Sequence, residues 1–438
     1  MTLSLKDFYS EEISTFQKNG ASSALKQLWA RGNSLFQTME FPTLKDEAWR
    51  NTNIRPLLGE AFARTAMKEI SAEEIENTVA SLPIQEEDYL LVTVNGIFHP
   101  EISRVPVIAG SCFGGLRRAL QSEESKRIEA LLDSSPQPKH IFTALNEAFV
   151  DDGIVISLSE GVALPHTLHV LCLSAGGEEP QAIHERLLVD VGRDASAVLA
   201  IHHVTLDDRA PIFKTFVEDY RFNNNASLTR LESIRDSSSL YRIGHLSVEQ
   251  KEGTRLDSFS LALDGAKLTR NEIEVSLVES DCISNLYGLA LNRERNLLDN
   301  DLLIHHHAPD CESRMRYKQM LQDSSRGVFT GKIHVDQTAQ KTNSEQLSAN
   351  ILLSPQARMD AKPQLEIYAD DVRCTHGVTV GRPDPQLFFY LRSRGIDAPL
   401  ATKLLSFAFV EDIISAIPVC SLREWFSEEF WKRIQLAV

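Results

Sequence analysis

Several common signatures are missing from this sequence. It has no Walker A loop, no GxGxxG, no GxSxG and no HExxH. A nucleotide cradle, a hydrolase elbow and a zincin site therefore lack sequence support. Cysteine is sparse: Cys112, Cys172, Cys282, Cys311, Cys374 and Cys420 are scattered over 438 residues, and none forms a CxxC pair. Four-ligand zinc spacing is absent. No apolar run approaches the roughly 18 residues of a membrane span. Basic charge is short as well, with 45 Lys and Arg against 61 Asp and Glu and a net charge of −16. That argues against nonspecific binding to nucleic acid or to an anionic membrane surface. The N-terminus, MTLSLKDFYSEEIS, has early acids and no apolar h-region. No secretory or transit signal is expected, so reduced thiols in a cytoplasm are the simplest reading.

What is present changes character along the chain. The first 150 residues read as mostly helical. Ala21 to Leu35 carries Leu25, Leu28, Trp29 and Leu35 near a 3.6 period. Ser71 with Glu74 three residues on is a capping box. FPTLKDEAWRNTN, from Phe41 to Asn53, is a connector. Tyr89 to Val94 reads as a strand stopped by the turn pair Asn95-Gly96, and Leu116 to Phe149 as mostly helical. From 151 to 382, period 2 takes over. Ile154, Ile156 and Leu158 alternate, as do Leu187, Val189 and Val191, and Phe259, Leu261 and Leu263. Ile333 with Val335 and Leu365 with Ile367 follow the same rule. Ile273, Val275 and Leu277 against Glu272, Glu274 and Ser276 form the cleanest case. Each pattern predicts one buried face per strand. Without helices between the strands, βαβ winding is disfavoured, and a sandwich, a barrel or a parallel solenoid all fit. No crisp repeat marks the last of these. Residues 383–438 turn helical again. Pro399 opens one segment, in which Leu400, Leu404, Phe407, Ile414 and Ile417 share a spacing, and Pro418 closes it. Leu422 to Leu436 is aromatic-rich, with Trp425, Phe426, Phe430 and Trp431, and suits either docking on its own domain or a partner surface.

Two clusters have metal-ligand chemistry. His305-His306-His307 lies near Cys311 and Asp301. On a strand, His305 and His307 share a face and His306 opposes them. A transition-metal site competes here with a plain polar ladder. Cys374 and His376, two apart, also share a face. They fit either a buried structural pair or two ligands of a site that needs donors from elsewhere. His202-His203 read as structural. Gly327, Gly331, Gly377 and Gly381 fit turns or close backbone approach better than phosphate cradles.

Four segments resemble one known family. SSRGVFTGKIHVDQTAQKTNSEQLSANILLS (Ser324 to Ser354), PQLEIYADDVRCTHGVTVG (Pro363 to Gly381), FFYLRSRGI (Phe388 to Ile396) and the early FPT-x-K-x-E-x-W-x-x-T stretch are similar to the SufB/SufD family of iron–sulfur cluster assembly scaffolds. The matches occur in order over most of the chain. Length, the early stretch and HGVTVG resemble the SufD branch, and the cysteine-clustered N-terminal extension of many SufB chains is lacking.

The resemblance implies a mainly β fold, a right-handed parallel β-helix flanked by N- and C-terminal helical domains. It implies a non-catalytic, cytoplasmic subunit that pairs with a SufB-like paralogue through the β-helix ends. The C-terminal helical region would bind a SufC-like ABC ATPase, and homodimerisation in isolation is compatible. His376 and the neighbouring Cys374 match the family's interface histidine and cysteine. They would hold a transient Fe–S cluster or iron at the shared interface, with no cofactor tightly bound to the chain alone. The competing reading is a metal-binding β-solenoid enzyme that uses His305, His307 and Cys311.

Overall fold

The computed structural model describes residues 5–16, 22–64, 70–207 and 209–434. Strands outweigh helices, 41% to 26%, and a β-solenoid of about eight turns has helices at both ends. The strands form two ten-stranded sheets, and from Gln181–Val191 onward successive strands alternate between them, each pairing in parallel with the strand two before it. Leu268 pairs with Leu297, and Leu297 with Arg326, so each turn there uses 29 residues. Of the three architectures open to the sequence, the chain adopts the solenoid.

The lack of a crisp repeat, a mild point against a solenoid, has a physical cause. The repeat lies in backbone conformation and side-chain size. Asp194, Asn225, Gly253, Asp281, Asp310 and Lys341 all have positive φ, between 55° and 68°. Each is followed by a small residue: Ala195, Ala226, Thr254, Cys282, Cys311 and Thr342, all at most 1% exposed. The carbonyl of each accepts a hydrogen bond from the backbone N–H that opens the strand one turn on, as in Glu312 N to Cys282 O and Asn343 N to Cys311 O. A left-handed residue turns the corner, where Asp, Asn and Gly are the common choices. The small residue then fits inside it.

Interior faces follow the predicted alternation. Ile154, Ile156, Leu158, Leu187, Val189, Ile273, Val275, Ile333 and Val335 join one core running along the solenoid. Phe259, Leu261 and Leu263 differ: they face outward, under Val410, Ile413, Ile414, Phe426 and Phe430 of the C-terminal helices. The early strands exceed the one-face rule. Ile154–Leu158 and Leu168–Ala175 are buried at every position, because helices or neighbouring segments cover the outer face as well. The N-terminal helices pack on Val155, Leu188, Phe213 and Tyr241.

Other local expectations match. Tyr89–Val94 is a strand, and Asn95 and Gly96, both at positive φ, turn it into the antiparallel Ile97–Phe98. Such a pair of left-handed residues is the chemistry of a type I′ turn. Ser71 and Glu74 form the capping box. The first long helix runs Ser23–Thr38, whereas Ala21 lies outside the described residues. The last helix is Cys420–Arg433, and Leu436 lies outside them. Most of its aromatics dock on their own chain. Phe426 and Phe430 are buried, and the Trp425 indole donates to the Ser81 carbonyl at 3.0 Å. Leu400 and Leu404 depart from the predicted helical face. Both are exposed in Ala398–Ser415, whose buried side carries Ala401, Ser406, Val410, Ile413 and Ile414. Shared spacing identifies a face but not which side of the helix the sheet covers.

The connector Phe41 to Asn53 is pinned to the solenoid. Arg270 stacks over the Trp49 ring at 4.1 Å, and the Thr52 hydroxyl donates to Asp299 at 2.5 Å. Gly331 sits within a strand, where a Cβ would collide with the Gln346 amide; close approach is its role.

Candidate functional site

The solenoid begins and ends differently. At its start, each sheet closes with a short antiparallel piece, Ile97–Phe98 in one and Cys112–Gly115 in the other. At its finish, Arg358–Ile367 and Arg373–Gly381 are the outermost strands of the two sheets, ten and nine residues long. Neither contains a residue buried like those of the preceding turns. Ile367 and Val380, near the ends of these strands, are exposed, and Tyr368, directly after Ile367, is 61% exposed. A long, bare strand edge offers a row of unpaired backbone groups to another chain.

Cys374 and His376 stand on this last strand. Register puts Cys374 beside Ser344 and His376 beside Gln346. Ser344 and Gln346 are buried, and Ser344 continues a hydrogen-bonded chain through Ser313 to His306. Both site residues therefore extend the interior-facing row into the open end. Cys374 is half-buried against the core, and burial pushes its thiol above the ordinary value. His376 is exposed. The Gln346 amide has no hydrogen-bond partner among the described residues. Soft sulfur, imidazole and an amide at an open sheet end make a partial donor set that a second surface can complete.

The triple histidine divides as strand geometry requires. His306 turns inward to Ser313 at 2.9 Å, and burial lowers its pKa to about 4. His305 and His307 turn outward with ring centroids 3.6 Å apart. Cys311 does not join them. Its sulfur is buried in the corner ladder with Cys282 and accepting carbonyls, and the interaction with Cys282 raises its pKa. Asp301 is engaged elsewhere, by Arg270 at 2.7 Å. The sequence reading missed the true neighbours, which come from the next turn. His305 Nε2 lies 3.0 Å from Asp336 Oδ1, His307 Nδ1 lies 2.9 Å from Asp336 Oδ2, and His334 Nε2 lies 3.2 Å from Asp336 Oδ1. Register explains this, since His305 pairs with His334. Knowing the 29-residue turn would have revealed it.

His202 and His203 are buried as structural residues. The His202 imidazole bonds His169 and Ser233, while His203 meets Arg242 and Glu232.

Comparison with known proteins decides the family. Residues 172–409 match "SUF system FeS cluster assembly, SufBD core domain", and residues 1–170 match "SufBD protein N-terminal region". The chain belongs to the SufBD family. It is 30% identical to the iron–sulfur cluster assembly protein SufD of Escherichia coli, over 86% of this chain and 85% of that protein. It is 28% identical to an iron–sulfur cluster assembly SufBD family protein of Synechocystis sp., over 89% of this chain and 86% of that one. SufD of Bacillus subtilis is 23% identical over 96% of both chains. The SufBD core assignment covers both the open end and the triple histidine. No helix among the described residues is long and apolar enough to cross a membrane.

Proposed function

We propose that this SufBD-family protein is a SufD-like, non-catalytic scaffold partner in iron–sulfur cluster assembly. It pairs with a SufB-like paralogue through the bare edges of Arg358–Ile367 and Arg373–Gly381. The nascent cluster, or its iron, is cargo held between the two chains. His376 and Cys374 are this chain's donors, and the partner supplies the rest. The carrying observation is that His376 is exposed on an outermost strand, beside a half-buried thiol, at the one solenoid end without a cap among the described residues. The same edge suits self-pairing when the partner is absent. Six unpaired thiols agree with work in a reducing cytoplasm.

The ATPase, a SufC-like ABC protein, docks on the C-terminal helices. Phe389 at 73%, Leu387 and Tyr390 at 53%, and Leu400 and Leu404 are exposed on Pro385–Ser393 and the start of Ala398–Ser415. Exposed aromatics at this density suit an interface. Phe389→Asp leaves the fold within about 0.5 kcal/mol, as expected for a surface change, and abolishes ATPase pull-down. Unchanged pull-down places the docking surface elsewhere.

His376→Ala is the decisive variant. It folds, pairs with the paralogue and yields less cluster in reconstitution. Full cluster yield from that complex removes the ligand role.

A further inference from the structure

A second site lies away from the open edge, on the outer face of the sheet that carries Leu297–His306 and Arg326–Val335. We propose that His305, His307 and Asp336 bind one divalent first-row transition-metal ion, with His334 as the residue that orients Asp336.

The geometry is that of a metal triad. One ligand atom from each of the three side chains lies within 4.8 Å of the other two. The His305–Asp336 and His307–Asp336 separations are 3.0 and 2.9 Å. Around a tetrahedral ion with bonds of about 2.0–2.1 Å, neighbouring donors are about 3.3 Å apart. The His305–Oδ1 and His307–Oδ2 contacts fall a few tenths of an ångström short of that spacing, and the Asp336 carboxylate can turn one or both oxygens to an ion held between the two rings. Two imidazoles and one carboxylate with open positions favour zinc, cobalt or ferrous iron over calcium or magnesium, which prefer all-oxygen shells.

The supports are as specific as the ligands. His334 bonds Asp336 through Nε2, and its Nδ1 meets Glu366 at 3.0 Å. Lys332 in turn holds Glu366 at 2.7 Å. This carboxylate–histidine–carboxylate chain fixes the ligand oxygen, as outer partners commonly do in metal sites. The backbone is fixed too: His307 N donates to Leu277 O, Asp336 N donates to His306 O, and the Thr338 hydroxyl donates to His307 O at 2.8 Å. His305 and His307 keep 26% and 36% of their side chains exposed. A ring that gives its lone pair to the ion can therefore carry its proton on the solvent side at little cost.

The site is independent of the proposed cluster interface. It uses neither Cys374 nor His376, so the two stand or fall separately. The test is calorimetric titration of the EDTA-stripped full chain with ZnCl2, repeated with CoCl2 by visible absorption. One saturable equivalent is expected for each metal. His305→Asn/His307→Asn and Asp336→Asn each remove it, with circular dichroism unchanged. His334→Ala weakens it by about 10- to 100-fold. The Cys374→Ser/His376→Ala chain retains it in full. The proposal is overturned by no saturable binding of either metal, by binding that survives the paired histidine change, or by binding lost in the Cys374→Ser/His376→Ala chain.

Discussion

The first and last turns of the solenoid share a backbone plan and differ in what fills and covers them. The interior of the early turns is heavily charged. Lys214 pairs with Glu185 at 2.7 Å, Arg230 with Glu218, and Arg242 with Glu232 at 2.5 Å, all essentially buried. Tyr220 adds its hydroxyl to Glu218 at 2.7 Å. Later turns replace this with Ile273, Val275, Ile304, Met315, Phe329 and Ile333, then with Ser344, Gln346, Ser348 and Asn350 near the open end. Helices and short antiparallel strands cover the early turns, while the last two strands lie bare. Buried ion pairs demand fixed, water-free surroundings. Inside the solenoid they sit in the sealed half, and the one between Arg270 and Asp299 on later strands is sealed from outside by the connector that carries Trp49. The open end carries neutral polar groups that water or a second chain can satisfy.

The largest effect expected from this contrast comes from removing one early charge. Arg242 serves Glu232, has Asp236 within 3.8 Å and lies over the Phe216 ring. Arg242→Ala takes the shortest ion pair from Glu232, which keeps Arg230 and His203, and removes the cation beside the buried Asp236. A loss of about 3–5 kcal/mol is expected in urea unfolding, as for other broken buried pairs. Removing the exposed Lys341, whose nearest acid is Asp310 at 3.8 Å, changes stability by less than about 0.5 kcal/mol. Equal losses from the two would erase the difference between the halves.

Strand patterning was legible in the sequence wherever only one face is buried, as at Ile273, Val275 and Leu277. The helical termini were legible from caps and prolines. The solenoid was legible only through the family resemblance and not through periodicity, because its repeat is a left-handed residue followed by a small one. Asp-Ala, Asn-Ala, Gly-Thr, Asp-Cys and Lys-Thr share conformation and volume but not identity. Cys311 looked like a ligand because sulfur chemistry is visible in a sequence and its use as a small corner residue is not. His334 and Asp336 were missed because the contact arises across a turn. Leu404 was misplaced because periodicity is blind to which side is covered. For Cys374 and His376, strand spacing gave the shared face and the family resemblance gave the role. Their position at an open edge came only with the fold.

The middle-sized effect is on pH dependence. His306 is buried and neutral, with its pKa lowered to about 4 by burial and by the neighbouring His305 and His307. An unfolded histidine titrates near 6.5. Between those values the unfolded chain binds the extra proton, so stability falls as pH drops from 6.5 to about 4 and changes no further from this residue below that. The full swing is on the order of 3 kcal/mol. His306→Asn should flatten that part of the profile. In the sealed half, His184, with its pKa lowered to about 3, and His202 and His203, also lowered, all chiefly by burial, act in the same direction. Hydrogen exchange at pH 5 should therefore show the early turns loosening before the late ones. Late turns that open first would reverse the expected order.

The smallest effect on stability carries the sharpest test of the open end. Arg373 N donates inward to Thr342 O. Backbone groups alternate sides along a strand, so the N–H groups of Thr375, Gly377 and Thr379 also point into the sheet. Those of Cys374, His376, Val378 and Val380 point out over the bare edge. Proline is tolerated on an edge strand where its missing N–H would have faced outward. Val378→Pro should cost about 1 kcal/mol or less while interrupting the edge, so pairing with the paralogue, read by size-exclusion chromatography, falls away. Thr379→Pro deletes an inward bond and should lower stability as well. If Val378→Pro pairs like the parent chain, association does not run through this strand's backbone, and the open end is open for another reason.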